Sequence, residues 1–356
     1  MHLDPRTTRG RRLPPPSYHR MLTVMATART EITEIVTGLG MLGFASLDHA
    51  ITVRPALVHN VEAAHFERLE AAYDSGQHRR EFAVSWANGE VFARSTDGLR
   101  GRPPWRIEWK GPHKPPGYEQ IPADLRVDHV YLLSCKYGST ILHNVSPAHL
   151  FDRRLADRRG ERLDWFAAVA PEAYQDLYRA CRDEVGDAAL PDHVADLRAD
   201  QRAVFKSLPR TWSAATAEPY RELVRAVSIA SAQRWNDSLP RDAREEFVWR
   251  LLRLQPSPYF VLGATNDHDP LRYRVLTPWD FRARFAFRAF DTWPNVVGQP
   301  IVTWRAVVFD RAEGVERLVD GHVEIRWSHG RFSGAPEAKV HLDSHPHRVA
   351  GYEPLT

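Results

Sequence analysis

Between Pro55 and Tyr73 the apolar positions of PALVHNVEAAHFERLEAAY recur every three or four residues. At about 100° per residue, Val61, His65, Phe66, Leu69, Ala72 and Tyr73 fall within one arc of about 140°, which predicts an amphipathic helix. Glu62 lies inside that arc. The period then shortens to two. EFAVSWANGEVFARS, residues 81–95, reads as two alternating runs around Asn88-Gly89, a pair suited to a tight hairpin turn. WRIEWKG, residues 105–111, puts Trp105, Ile107 and Trp109 on one face and Arg106, Glu108 and Lys110 on the other, as a strand does. After GPHKPPG, the stretch IPADLRVDHVYLLSCKYGS (121–139) reads as strand, turn, strand.

From Ser146 onward the pattern is helical. Ser146-Pro147 supplies a cap and a first-turn residue, and APEAYQDLYRACRDEVG has proline near its start and closes on Gly186. EPYRELVRAVSIASAQRW (218–235) and REEFVWRLLRL (244–254) continue the theme until QPSPYF interrupts it. The expected organisation is a basic, Pro-rich, disordered extension over 1–28, with order beginning near Met25 to Thr30. A core follows over 29–150, then a helical region over 151–255 and a β-rich section over 256–356. The fold class is α+β or α/β, a mixed sheet flanked by helices. No repeat of fixed period is evident.

At 356 residues and 43% hydrophobic, the chain can bury a substantial core. Eleven Trp, 15 Phe and 11 Tyr against four Met make that core aromatic and rigid. Cys135 and Cys181 cannot build a disulfide framework and form no CxxC pair, which fits a reducing cytoplasm. No apolar run is long enough for a membrane span, and the N-terminus lacks the apolar segment of a signal peptide. A net charge of +3 permits a nucleic-acid partner without requiring one. Arginine dominates the positive charge, which suits phosphate, although a GC-rich genome is the favoured explanation.

Two polar groups in 121–139 stand out. Asp124 precedes a turn, and Lys136 ends the apolar run VYLLSC. A loop centred on Asp128, His129 and Val130 would set residue 124 opposite 134, about 5 Å apart, with Lys136 on the diagonal at roughly 7–8 Å. An even-residue loop would put the two on opposite faces. A carboxylate and a lysine so placed serve phosphodiester hydrolysis: the acid holds a divalent ion and the amine orients the attacking water. Packing offers another reading, in which Lys136 snorkels from a strand end and Asp124 pairs with Arg126. Asp128 suits the turn itself, and Cys135 alternates to the core side.

Pro122-Ala123-Asp124, nine residues, then Ser134-Cys135-Lys136 resembles the motif of the PD-(D/E)XK, or restriction-endonuclease-like, nuclease superfamily, over about a third of the chain. The resemblance implies a mixed-sheet core flanked by helices, Mg²⁺ as cofactor and DNA as substrate, in restriction or phage defence. Ser134 stands where the family usually carries an acid, as in its S-x-K variants. A second acid must then come from elsewhere. Glu108 on the neighbouring strand is preferred, then Glu62 on the helix, then Asp152. Asp124 and Glu108 would be the metal ligands, with Lys136 positioning water. Glu62 also suits a helix start, with Asn60 as cap.

Near the C-terminus, GHVEIRWSHGRFSGAPEAKVHLDSHPH (321–347) repeats an E-x-K at Glu337–Lys339 and is rich in histidine. Arg326, Trp327, His329 and Arg331 are candidates for gripping a nucleic acid by stacking and phosphate contacts. His322, His329, His341, His345 and His347 with Glu324 and Asp343 are an alternative set for a transition metal, without tight zinc spacing. There is no Walker loop, no GxGxxG after a strand, no GxSxG elbow and no HExxH. The sequence therefore favours a cytoplasmic Mg²⁺-dependent endonuclease, acting alone, as a homodimer or with a protein partner. A non-catalytic nucleic-acid- or protein-binding component of a larger assembly is the alternative.

Overall fold

The structure is a computed structural model that describes residues 18–111, 123–156, 163–209 and 211–356. Helices α1 (Tyr18–Leu39) and α2 (Leu47–Val53) lead to a short strand β1 (Val58–His59), then α3 (Ala63–Asp74) and α4 (Arg79–Arg94). Strands β2 (Ile107–Trp109), β3 (Leu125–Val127), β4 (Tyr131–Tyr137) and β5 (Ile141–Val145) follow. The helical stretch holds α5 (Pro147–Phe151), α6 (Trp165–Val169), α7 (Pro171–Val185), α8 (Ala199–Arg202), α9 (Ala214–Ser238) and α10 (Arg244–Leu251). After β6 (Tyr259–Ala264), β7 (Pro270–Val275) and α11 (Pro278–Arg284) come β8 (Phe285–Asn295), β9 (Ile301–Asp310), β10 (Val315–Arg326), β11 (Glu337–Leu342) and β12 (Tyr352–Pro354). The architecture is mixed α and β, with a β-rich C-terminal region.

Two sheets organise these strands. The seven-stranded sheet runs β1-β2-β3-β4-β6-β7-β12, and the five-stranded sheet runs β5-β11-β10-β9-β8. In the first, β1/β2 and β4/β6 are parallel and the other pairs antiparallel, so the sheet is mixed. Strands from both ends of the chain build it: β6 pairs with β4 from Leu132 to Tyr137, although the helical stretch separates them in sequence. Residues 138–140 carry the chain from β4 directly into β5 and thus into the second sheet.

Each face of the first sheet has its own core. Ile35, Val36 and Leu39 of α1 and Phe92 of α4 pack with Ile107, Trp109, Leu125, Leu133 and Phe260. The larger core joins Tyr259 and Tyr273 to Trp165, Tyr178 and Trp235 of the helical stretch and to Val302, Trp304 and Val323 of the second sheet. Strand β9 alternates strictly, with Val302, Trp304, Ala306 and Val308 inward, because one side of that sheet faces the core.

Residues 81–95 are not a hairpin. They lie in α4, whose buried positions are Phe82, Ser85, Asn88, Gly89 and Phe92, a helical spacing. Asn88-Gly89 marks a close helix crossing instead of a turn: a Cβ on Gly89 would stand 2.2 Å from Thr37 O, and one on Gly40 2.4 Å from Trp86 O. The Asn88 amide donates to Gly263 O at 2.9 Å and accepts from Arg272 Nε at 2.8 Å. Apolar residues on both sides of the pair satisfy a period of two or of 3.6, and the partner helix selects the second.

Other boundaries shift less. The helix expected over 55–73 begins at Ala63, because Val58 and His59 pair with Ile107 and Glu108. Glu62 is its N-cap, donating its N–H to His65 Nδ1 at 3.0 Å. Helix α1 starts at Tyr18, earlier than the Met25–Thr30 boundary expected for ordered structure. The rest of that expected N-terminal extension, residues 1–17, lies outside the described residues.

Candidate active site

Strands β3 and β4 are joined by the turn Asp128–Val130, which pairs Leu125 with Leu133, Arg126 with Leu132 and Val127 with Tyr131. That is the odd-residue loop which brings position 124 opposite 134. Asp128 and His129 both adopt positive φ, at 52° and 60°. Asp128 stabilises this strained turn by accepting from the N–H groups of Trp105 and Arg106 at 3.0 and 3.2 Å and by pairing with Arg102.

Beyond Leu125 the two strands part, and Asp124 occupies the fork. Its N–H donates to Leu133 O at 2.8 Å. Its carboxylate accepts from Cys135 N at 2.6 Å and Ser134 Oγ at 3.3 Å. Ser134, in the position where an acid was missing, therefore orients Asp124. Lys136, two residues further on, is half-buried. Burial pulls its ammonium below the usual lysine range, the Asp124 carboxylate opposes that pull, and Arg253 adds to it.

A further acid stands on α1. Glu34 accepts from Trp109 Nε1 at 2.6 Å. Its pKa is pushed up to about 8, first by burial and then by the negative charge of Asp124. The Trp109 hydrogen bond and the charges of Lys136 and Lys110 work in the other direction. The charges of Asp124 and Lys136 thus act on Glu34, and those of Asp124 and Glu34 act on Lys136. Cys135 faces this helical side, packing against the α1–α4 core, and burial raises its thiol well above the usual value.

The acids preferred from sequence are placed otherwise. Glu108 lies opposite Arg126, which grips both oxygens at 2.6 and 3.0 Å. Arg106 Nε at 3.2 Å and His129 Nδ1 at 3.3 Å add to that clamp, so Glu108 belongs to a buried ionic cluster. Glu62 caps α3. Asp152 is held by Arg234 at 2.6 and 3.0 Å. In sequence Glu34 differs from Glu31 in no local respect, and Glu31 is bound by Arg68 at 2.9 Å. An acid on the helix preceding the first strands was the available signal.

Lys136 also lines a cleft of roughly 320 Å³ between the two sheets, with Arg253, Tyr259, Asn266, Asp269 and Asp343 on its walls. Glu34 and Asp124 are not among the lining residues. Next to the lining residue Leu142, His143 Nε2 meets the carbonyls of Arg250 and Leu251 at 3.0 Å, and Arg253 donates to Leu142 O at 2.6 Å. Burial and the Arg253 charge hold His143 well below the usual histidine range.

The C-terminal candidates are largely committed to structure. Trp327 packs edge-on against Phe166, at 4.8 Å between centroids, and beside Phe332. Arg331 donates to Pro209 O and Thr211 O at 2.7 and 3.0 Å and lies over Trp212. Arg326 and His329 are exposed. Among the described residues, no helix is long and apolar enough to cross a membrane. Compared with family models, curated proteins and solved structures, the chain matches none.

Proposed function

We propose that the chain is a Mg²⁺-dependent nuclease that hydrolyses phosphodiester bonds in DNA, with Glu34, Asp124 and Lys136 as its working groups. The observation that carries this reading is the hold of Ser134 Oγ and Cys135 N on the Asp124 carboxylate at the β3–β4 fork, next to Lys136, with the charges of Asp124 and Lys136 acting on Glu34. A helix bearing an acid, three antiparallel strands and a later strand parallel to β4 also support a restriction-endonuclease-like core.

The donor set suits the cofactor. Glu34 and Asp124 offer hard carboxylate oxygens, and magnesium takes one or two of these with waters and phosphate oxygens completing its shell. When bound, the ion would polarise the phosphate and acidify an attacking water. The protein's own contributions are distinct. Ser134 Oγ and Cys135 N fix the carboxylate of Asp124, Trp109 aims that of Glu34, and Lys136 reaches from the fork toward the cleft. Its amine would hydrogen-bond the nucleophilic water and offset charge developing on the phosphate. A role in restriction or phage defence and a preference for DNA over RNA follow from the motif resemblance.

The test is plasmid cleavage by purified protein with Mg²⁺. Asp124→Ala, Lys136→Ala and Glu34→Gln are each expected to lower the rate by about a hundredfold or more, and chelation to abolish it. Cleavage that survives all three substitutions would mean that the fork is not the active site.

A further inference from the structure

A second group of ligand-bearing side chains plays no part at the fork. His322 of β10 stands directly opposite His341 of β11, and Glu324 follows two positions along β10. The pleat therefore puts all three on the sheet face turned away from the core, where Val323, Ile325 and Val340 point inward. One ligand atom from each lies within 4.8 Å of the other two. The two imidazoles are stacked, with centroids 4.6 Å apart.

The outer partners of the histidines are already in place. His322 Nδ1 is 2.8 and 2.9 Å from the two carboxylate oxygens of Asp343, which keeps the proton on Nδ1 and leaves Nε2 as an electron-pair donor. His341 Nδ1 is 3.1 Å from Thr140 Oγ1. His341 Nε2, by contrast, is buried and makes no hydrogen bond among the described residues, although Glu324 Oε2 stands 3.5 Å away. A contact network without an ion leaves this nitrogen unsatisfied.

We propose that His322, Glu324 and His341 bind a zinc-class divalent transition-metal ion, independently of the carboxylates at Glu34 and Asp124. Two imidazoles and one carboxylate are a set that zinc accepts with its fourth position open to water, whereas magnesium prefers oxygen ligands. An ion about 2.0–2.1 Å from each ligand draws the three atoms closer together than they now stand, which small side-chain rotations achieve. Its competitors are Arg326, whose Nε is 3.7 Å from Glu324 Oε2, and Lys339, opposite Glu324 on β11. Glu324 and Asp343 supply the negative charge that favours the ion over them. Thr140 and Asp343 also line the cleft that Lys136 reaches, so this site borders the cleft without sharing a ligand with the fork.

Chelator-stripped full-length protein titrated with Co²⁺ tests this, read by visible d–d absorption, with Zn²⁺ as competitor. One ion per chain is expected, displaced by Zn²⁺. His322→Ala, His341→Ala and Glu324→Gln should each weaken binding at least about tenfold, and Asp343→Asn by about tenfold through its hold on His322. Circular dichroism checks that each variant folds. His345→Ala is the nearby control and should bind as wild type does. Asp124→Asn should keep the cobalt spectrum, which separates this site from the nuclease reading. Wild-type protein with no cobalt band, or a band unchanged by both histidine substitutions, overturns the proposal.

Discussion

Trp109 Nε1 donates to Glu34 Oε2 at 2.6 Å, tying the last residue of β2 to helix α1. The same tryptophan is almost wholly buried, its backbone carbonyl accepts from Asn60 Nδ2 at 3.0 Å, and its ring packs edge-on to His65. A rigidly packed aromatic thus sets the direction of a carboxylate proposed to hold metal. Trp109→Phe keeps most of the packing and removes the donor. Metal affinity at the fork should fall about tenfold, the worth of one hydrogen bond to a charged group. Mg²⁺-dependence of cleavage reads the change, and an unaltered dependence would count against Glu34 as a ligand.

Metal binding at the fork should release a proton. Below about pH 8 the metal-free Glu34 is protonated, and an ion must displace that proton. Calorimetry in two buffers of different ionisation enthalpy should find close to one proton released per ion near neutrality, and almost none well above pH 8. Release that does not vary with pH would place the ion elsewhere.

Stability follows the same group with a definite sign. Folded Glu34 keeps its proton up to about pH 8, whereas its unfolded value is near 4.5. Between those values the native state binds more protons than the unfolded one, so stability declines as pH rises through the window. Glu34→Gln removes that decline. In chelator, urea unfolding should show the variant matching wild type near pH 4 and exceeding it by about 4–5 kcal/mol at pH 9.

Gly89→Ala tests the crossing of α1 and α4. The new methyl would press on Thr37 O, three residues from Glu34, so the helices must separate. A loss of about 2–4 kcal/mol is expected from overpacking, with cleavage impaired in the molecules that remain folded. Tolerance of alanine without either effect would contradict the close crossing.

Glu108→Gln should behave differently from Glu34→Gln. It leaves Arg126 and Arg106 without their shared buried carboxylate, a destabilisation of about 3 kcal/mol. Cleavage per folded molecule should stay near wild type. A hundredfold loss in a folded Glu108→Gln protein would return that residue to the site.

Much of the secondary structure could be read locally. Ser146-Pro147 caps α5, with Ser146 Oγ accepting from His149 N, and Gly186 ends α7 in the left-handed conformation. The β3–β4 register followed from alternation and turn length, which act within a few residues. Residues 81–95 defeated local reading, because Asn88-Gly89 belongs equally to a hairpin and to a helix crossing until α1 is present to choose.

The candidate site divides along the same line. Asp124 and Lys136 lie twelve residues apart about one hairpin, so the register that relates them was implicit in the order of amino acids. Glu34 is carried by α1, which packs over the sheet, and Glu108 is held among Arg106, Arg126 and His129. A carboxylate's role depends on which charges surround it in space, and long-range packing sets that neighbourhood. Local pattern drew the hairpin, and the tertiary fold set the surroundings of each carboxylate.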